Sequence, residues 1–145
     1  MKVYLDNCCY NRPYDDQSDL RISLETQSKL RIQDMVVNGD IELVTSYVLS
    51  TENSRNTVDS KKENIKKYID ANTTAYVDIR HMDEIDSMAD TIMQSGIKYM
   101  DACHVACAEY AGCDYFITTD RRLLKYKSDK LQLVNPVDFI DSIVS

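Results

Sequence analysis

Short runs of β-branched and aromatic residues alternate along this chain with longer stretches that have helical character. Turn-forming residues bound the runs, as expected of β-strands, at positions 3–5, 41–44, 75–79, 115–118 and 131–134. Strands that alternate with helices favour a parallel sheet covered by helices on both faces. We therefore predict an α/β fold, a three-layer α/β/α sandwich around a five-stranded parallel sheet.

Capping residues and glycines place the helices between these strands. The predicted helices cover about 18–38, 47–55, 59–71, 82–95 and 99–111, followed by a short helix after Asp120 and a last one after Pro136. The first of them has Leu20, Leu24, Leu30 and Met35 as its apolar positions. Ser46 is a predicted N-cap, Gly96 and Gly112 follow helix ends, and Pro136 suits the first position of a helix.

Length and composition indicate an ordinary globular domain. The 145 residues predict a single domain over 1–145, and 43% hydrophobic with 28% charged residues exclude a disordered chain. The sequence contains neither a long apolar run nor the hydrophobic core of a signal peptide, so we expect a soluble cytoplasmic protein. Five cysteines without a C-x-x-C pair indicate reduced thiols rather than a disulfide framework or a structural zinc site.

Four acidic residues fall where the predicted sheet would bring them together. Asp6 ends the first strand, Asp120 follows the fourth, Glu52 lies in the helix leaving the second, and Asp101 opens the helix returning to the fourth. Ligand sites in open parallel sheets form beyond the carboxyl ends of the strands. Clustered carboxylates repel one another unless a cation neutralises them, and oxygen ligands suit Mg²⁺ or Mn²⁺. Such ions promote phosphodiester hydrolysis.

The same acids also have simpler explanations. Asp101 and Asp120 are each placed to cap the helix that they begin. Other acids rank below these four as candidate ligands, because they fall at the opposite end of a strand, at the sheet edge or in a loop: Asp114, Asp78, Asp15 and Asp16.

The order of these motifs resembles the PIN domain, including the VapC-like toxins of type II toxin–antitoxin systems. The motifs are V-Y-L-D-N at 3–7, S-Y-V-L-S-T-E at 46–52, M-D-A-C-H at 100–104 and F-I-T-T-D at 116–120. The resemblance spans the chain and implies strand order 3-2-1-4-5, with the first and fourth strands adjacent. It also implies divalent-metal-dependent cleavage of RNA, a homodimer, and an antitoxin that inserts a segment into the site.

The resemblance assigns roles to particular residues. Asp6, Glu52, Asp101 and Asp120 match the metal-binding catalytic acids. Thr118 matches a residue that hydrogen-bonds the first aspartate, and Asn7 matches a polar position beside it.

The net charge of −7 argues against unspecific binding of nucleic acid, but the charge is uneven. Residues 121–130 contain five basic side chains and one acidic side chain, and residues 55–67 are also rich in basic side chains. Residues 83–90 contain acidic side chains and no basic ones. We therefore expect Arg121 and Arg122, next to Asp120, to contact RNA phosphates.

Five further residues near the motifs remain open to two interpretations. Cys8 and Cys9 are either small buried residues or a redox-sensitive pair. His104 either packs in the core, or orients Asp101 or reaches the substrate. Tyr10 and Tyr14 either pack in the core or stack on an unpaired base.

Rival functions meet specific obstacles in the sequence. A receiver module needs a lysine after the last strand, where this chain has V-N-P at 134–136. A haloacid-dehalogenase-like phosphatase needs an acid two residues after Asp6, where Cys8 stands. A non-catalytic PIN-like module that binds RNA or protein, and a DNA-directed nuclease, remain alternatives.

Overall fold

The strands of the computed structural model, which describes residues 1–144, form one parallel sheet. They are β1 (Lys2–Leu5), β2 (Glu42–Ser46), β3 (Ala75–Val77), β4 (Tyr115–Ile117) and β5 (Gln132–Val134). Their order is β3-β2-β1-β4-β5, and each neighbouring pair is parallel. The predicted α/β class and strand order 3-2-1-4-5 are confirmed.

Helices connect the strands. They are α1 (Asn7–Asn11), α2 (Leu20–Val37), α3 (Tyr47–Ser54), α4 (Asp59–Asn72), α5 (Met82–Met93), α6 (Tyr99–Tyr110) and α7 (Pro136–Val144). Single 3₁₀ turns follow at Arg12–Tyr14, Ile79–His81 and Leu123–Lys125. Within residues 1–144, no helix has both the length and the apolar character needed to cross a membrane.

One helix was not expected from the sequence. The short helix predicted after Asp120 is present as a 3₁₀ turn at Leu123–Lys125, whereas α1 was not predicted. Helix α1 has five residues, too few to show a helical period, and it begins because the Asp6 carboxylate accepts a hydrogen bond from Asn7 N at 2.8 Å.

The sheet is buried on both faces, and the strand pleat divides the core in two. One face packs against α5 and α6 and includes Tyr4, Val44 and Phe116. The other packs against α2 and α7 and includes Val3, Leu5, Leu43 and Ile117. Alternate residues of β1 therefore face opposite cores. Because β1 is the middle strand of the five, Asp6 at its carboxyl end lies at the centre of the sheet edge.

Helix α2 turns a different face to the core than its leucines suggest. Leu20 is 73% exposed and Leu24 is 45% exposed, whereas Glu25 and Lys29 are buried beside Ile32. The hydrogen-bond and ionic partners of the Glu25 side chain explain why this face of α2 is buried better than the hydrophobicity of the helix does.

A glycine ends α6 and leads the chain into β4. Gly112 has φ +74°, a conformation that favours glycine. Its N–H donates to Glu109 O at 3.1 Å, and Cys113 N–H donates to Ala108 O at 3.0 Å. This tight turn sets β4 beside β1 and brings Asp120 to the same edge as Asp6.

Candidate functional site

Asp6 is held rigidly at the carboxyl end of β1. Its side chain is 5% exposed, and Oδ2 accepts a hydrogen bond from Thr118 Oγ1 at 2.9 Å. Oδ1 accepts from the Asn7 backbone N–H, and Asp6 N–H donates to Ile117 O at 2.9 Å. Thr118 thus makes the contact that the resemblance implies. Asn7 contacts Asp6 through its backbone, while its own carboxamide oxygen is buried and has no hydrogen-bond partner among residues 1–144.

Asp120 has both a capping role and a place in the site. Its Oδ1 accepts hydrogen bonds from Arg122 N at 2.9 Å and Leu123 N at 3.3 Å, so it caps the following turn as the simpler explanation predicts. It also lines a cavity of about 120 Å³ together with Asp101, Lys98 and Arg122. This cavity brings two acids and two cations to one place.

Asp101 is the acid whose surroundings are least favourable to its charge. It lies in the first turn of α6, and within residues 1–144 its carboxylate has no hydrogen bond or ion pair. Burial, followed by the negative charges of Asp6 and Asp120 and then of Glu52, raises its pKa to about 6, although His104 opposes the shift. The negative charges of Asp6, Asp120 and Glu52 therefore all act on Asp101.

Glu52 is held by His104, a contact that the sequence did not reveal. His104 Nε2 lies 2.5 Å from Glu52 Oε1, and its ring is fully buried in α6. His104 Nδ1 lies 2.7 Å from the Tyr4 hydroxyl, which lies 2.7 Å from Ser46 Oγ. Ser46 Oγ also accepts from Leu49 N at 3.2 Å, which caps α3. A continuous polar chain thus joins the start of α3 to Glu52.

The protonation states of His104 and Tyr4 follow from the surroundings of these two side chains. Burial would lower the pKa of His104, but the hydrogen bond to Glu52 and the charges of Asp6, Glu52 and Asp101 outweigh it and raise the pKa. Burial raises the pKa of Tyr4, so its hydroxyl keeps its proton. In either charge state of His104, Nε2–H donates to the Glu52 carboxylate.

The neighbouring cysteines take different positions. Cys8 Sγ lies 3.5 Å from Asp6 Oδ2 and 3.4 Å from Thr118 Oγ1, and it accepts from Thr119 N at 3.4 Å. Cys9 is buried and donates its S–H to Ile117 O at 3.3 Å. Both thiols are free. Cys9 is therefore a core residue, whereas Cys8 packs against the candidate site.

A buried ionic network supports the loops that carry the acids. The Glu25 side chain, 1% exposed, accepts from Arg12 Nε at 2.9 Å and Arg12 Nη2 at 2.6 Å. It also accepts from Asn135 Nδ2 and lies 3.4 Å from Arg21 Nε. Arg21 Nη2 donates to Thr119 O at 2.8 Å. The network ties α2 to the segments after β1, β4 and β5.

The carboxylate oxygens of the four acids are of the type that binds Mg²⁺ or Mn²⁺, but as they are oriented here they do not form a complete set of ligands. Among residues 1–144, no group of three His, Cys, Asp or Glu side chains is positioned to hold a metal ion. Hydrogen bonds engage oxygens of Asp6, Glu52 and Asp120, whereas the Asp101 carboxylate makes none with residues 1–144.

The lower-ranked acids have local roles. Asp114 accepts from Lys2 N at 2.9 Å at the opposite end of the sheet, and Asp78 caps a 3₁₀ turn. Asp15 pairs with Arg12 at 3.1 Å, and Asp16 bonds the Ser18 hydroxyl at 2.7 Å. None of these contacts joins the four-acid group.

Some of the basic side chains beside the four acids were expected from the sequence, and one was not. Arg121 and Arg122 are exposed, and Arg122 lines the cavity shared by Asp101 and Asp120. Lys98 lines the same cavity and was not singled out from the sequence. The sequence feature that could have identified Lys98 is its position directly before α6, because this helix begins near the site.

Comparison with known proteins supports the fold. No family model matches the chain, and no curated protein matches it in sequence. The crystal structure of VapBC2 from Rickettsia felis bound to a DNA fragment from their promoter is similar, with a TM-score of 0.59 and 12% sequence identity. The match covers 93% of this chain and 98% of that chain. At this identity, the similarity establishes a shared fold.

Proposed function

We propose that this protein is a divalent-metal-dependent endoribonuclease that hydrolyses phosphodiester bonds of RNA. The observation that carries the proposal is the cavity of about 120 Å³ that Asp101 and Asp120 share with Lys98 and Arg122. Within residues 1–144 the Asp101 carboxylate has no hydrogen bond, and burial together with the charges of Asp6, Asp120 and Glu52 raises its pKa. Natural folds tolerate such repulsion mainly where a cation relieves it or where function requires it. The fold shared with VapBC2 agrees with the resemblance to VapC-like proteins.

Asp6, Glu52, Asp101 and Asp120 would hold Mg²⁺ or Mn²⁺. Such an ion, when bound, supplies charge stabilisation at the phosphorus centre and a more acidic water.

The chain itself contributes orientation and positive charge. Thr118 fixes one oxygen of Asp6, and His104 fixes one oxygen of Glu52. Lys98 and Arg122 line the cavity beside Asp101, where they are placed to hold the phosphate of the substrate. Arg121 extends this positive surface outward.

The test is cleavage of labelled single-stranded RNA by metal-stripped protein, with Mg²⁺ or Mn²⁺ added back. We expect cutting only after metal is restored. Metal binding without cutting of varied RNAs would indicate a narrow substrate. Neither binding nor cutting would favour a non-catalytic module that binds RNA or protein, an alternative favoured by the absence of a preformed three-ligand set in residues 1–144.

The resemblance further suggests the toxin of a type II toxin–antitoxin pair, acting in the cytoplasm as a homodimer. An antitoxin that inserts a segment among the four acids would block the site by occupying it. Inhibition of the cleavage assay by a co-purified partner, relieved when the partner is removed, would test this role.

His104→Ala should weaken the response to metal without abolishing the fold. Loss of a residue that orients a metal ligand typically costs about 10–100-fold in metal affinity or activity. We therefore expect the Mn²⁺ concentration for half-maximal cleavage to rise by at least about 10-fold. The control is His81→Ala, which changes the other histidine of the chain. An unchanged Mn²⁺ dependence in His104→Ala would show that Glu52 does not depend on this contact.

Arg121→Ala should weaken RNA binding and make it less sensitive to salt. Each phosphate contact releases counterions, so its loss reduces the slope of log K against log salt by about 0.7 for a single strand. Binding is measured by fluorescence anisotropy in EDTA, which prevents cleavage. A slope equal to that of the wild type would remove Arg121 from the RNA surface.

A further inference from the structure

A series of buried polar contacts begins and ends on the same helix. Ser46 caps α3 by accepting from Leu49 N at 3.2 Å, and its Oγ lies 2.7 Å from the Tyr4 hydroxyl. The Tyr4 hydroxyl lies 2.7 Å from His104 Nδ1, and His104 Nε2 contacts Glu52 in the second turn of α3. Ser46, Tyr4, His104 and Glu52 thus form a closed loop of contacts, the α3 brace, which joins α3 to β1 and α6.

The α3 brace lies in the core between the sheet and α6, where most neighbouring side chains are apolar. Tyr4, Ser46 and His104 are completely buried, and the Tyr4 ring stacks on Phe116 with centroids 5.4 Å apart. Replacing both partners of a buried hydrogen bond by apolar groups of the same shape is nearly neutral or stabilising. Stability alone therefore does not account for three buried polar side chains, and their contact with Glu52 points to a role in the site.

Glu52 depends more on such a contact than Asp6 or Asp101 does. Asp6 directly follows β1, and Asp101 lies in the first turn of α6. Glu52 is the sixth residue of α3, and its longer side chain is 31% exposed. Such a side chain samples many rotamers unless a partner holds it. His104 engages Oε1, whereas Oε2 makes no hydrogen bond with residues 1–144 and is therefore left for a ligand.

The Tyr4 hydroxyl suits the middle of the α3 brace because it can both donate and accept. A carboxylate oxygen accepts only, so His104 Nε2 carries the proton of its bond to Glu52. When His104 is neutral, its bare Nδ1 accepts from the Tyr4 O–H, and when His104 is protonated, Nδ1–H donates to the Tyr4 oxygen. In both states the hydroxyl holds the ring at the angle that aims Nε2–H at Glu52.

We propose that Tyr4 is a positioning residue for the four-acid site. Its hydroxyl fixes the rotation of the His104 ring, the ring engages Oε1 of Glu52, and Oε2 is thereby reserved for the metal ion. Tyr4 acts through His104, since its own side chain is buried beneath the site. The inference rests on the proposed function, because it concerns a ligand of the proposed metal site.

The first measurement is the affinity of metal-stripped protein for Mn²⁺ by calorimetry, which requires no RNA. Tyr4→Phe keeps the ring that stacks on Phe116 and removes the hydroxyl alone. The net contribution of one hydrogen bond corresponds to about 2–10-fold, so we expect the dissociation constant for Mn²⁺ to rise by about that factor. The Mn²⁺ concentration for half-maximal RNA cleavage should rise equally, while the rate at saturating Mn²⁺ stays unchanged.

Tyr68→Phe is the matched control for this substitution. It removes the hydroxyl of a tyrosine on α4 that donates to Gln33 O at 3.4 Å, a contact with α2 and not with the four acids. We expect its Mn²⁺ affinity to equal that of the wild type. A loss as large as that of Tyr4→Phe would show that removing any such hydroxyl weakens metal binding, and would overturn the proposal.

A double variant tests whether Tyr4 acts through His104. Residues that belong to one hydrogen-bond network give non-additive effects. We therefore expect Tyr4→Phe combined with His104→Ala to bind Mn²⁺ as weakly as His104→Ala alone. If the wild type binds Mn²⁺, an unchanged affinity in Tyr4→Phe, or a double variant that loses the product of the two single effects, would overturn the proposal.

A spectroscopic arm separates this inference from the proposed nuclease function. NMR follows the Nε2–H proton of His104 in metal-free protein with isotope-labelled histidine, and His104→Ala assigns the signal. We expect a sharp signal in the wild type and in Tyr68→Phe, and a broadened or lost signal in Tyr4→Phe because the ring is no longer held.

The two proposals then fail in different ways. Loss of the signal in Tyr4→Phe, in a protein that neither binds metal nor cuts RNA, would support the hold of Tyr4 on His104 and reject the nuclease. Metal-dependent cleavage with an unaltered Mn²⁺ response and an unaltered His104 signal in Tyr4→Phe would support the nuclease and reject the positioning role.

Discussion

Asp101→Asn is expected to abolish metal-dependent RNA cleavage while it leaves the protein folded. The substitution keeps the size of the side chain and removes the acid that is least stabilised by contacts within the protein. Loss of several kcal/mol of charge stabilisation lowers a rate by more than about 100-fold, since each 1.36 kcal/mol is tenfold. The measurement is the initial rate of cleavage at saturating Mn²⁺.

The same substitution should stabilise the metal-free protein at neutral pH. The folded-state pKa of about 6 lies above the ordinary value of 3.8, so the folded state binds this proton more tightly than the unfolded state. The resulting stabilisation is present below pH 4 and is lost as the pH rises through about 6. After allowance for solvent screening, we expect Asp101→Asn to gain about 1 kcal/mol in EDTA at pH 7.5.

The control for this prediction is Asp40→Asn, which makes the same change at an exposed position in the turn before β2. It should alter neither the cleavage rate nor the thermal midpoint in EDTA. A large fall in the thermal midpoint of Asp101→Asn would assign Asp101 a structural role. Full activity in a folded Asp101→Asn protein would refute the proposed site.

Glu25→Ala is expected to cause the largest loss of stability. The substitution leaves the largely buried Arg12 guanidinium without its closest partner and also deprives Asn135 of its acceptor. Breaking a buried ion pair by removing one member costs about 3–5 kcal/mol, and among residues 1–144 Arg12 would keep only the more exposed Asp15 as an ionic partner. The measurement is the free energy of unfolding from urea denaturation, with the wild type alongside.

Arg12 supplies the matched control, because it pairs with a second and more exposed acid. The side chain of Asp15 is 38% exposed and lies 3.1 Å from Arg12 Nη1. Asp15→Ala should cost less than about 1 kcal/mol, as is usual for exposed ion pairs. Equal costs for the two variants would mean that burial of Glu25 does not govern the strength of the network.

Hydrophobic patterning and turn residues were sufficient to predict most of the secondary structure. The strand runs were found because β-branched and aromatic residues stand between breakers, and Ser46 and Gly112 mark helix ends by chemistry that acts within a few residues. The parallel sheet followed from the alternation of elements, while the strand order came from the resemblance to PIN domains.

The sequence also predicted that four acids would converge at one edge of the sheet, because the carboxyl ends of parallel strands meet there. Their role as site residues stays a prediction. Their electrostatic coupling agrees with that expectation. Whether they bind metal remains a prediction.

The contact that orients Glu52 was not predictable from the sequence. His104 and Glu52 are separated by 52 positions, and Tyr4 and His104 by 100. From the sequence alone, a histidine in an apolar helix that packs in the core cannot be distinguished from one that hydrogen-bonds a carboxylate. A lysine such as Lys29 is expected to be exposed when its neighbours in the fold are not known.

The sequence by itself determined most of the elements of this protein and predicted the edge of the sheet where its acids lie, since both depend on local patterns and on the geometry of parallel strands. Tertiary structure alone decided which face of α2 is buried and which oxygens of Asp6, Glu52 and Asp120 are engaged in hydrogen bonds. These features depend on pairs of side chains far apart in the chain, and their energies arise only when burial removes water from around them.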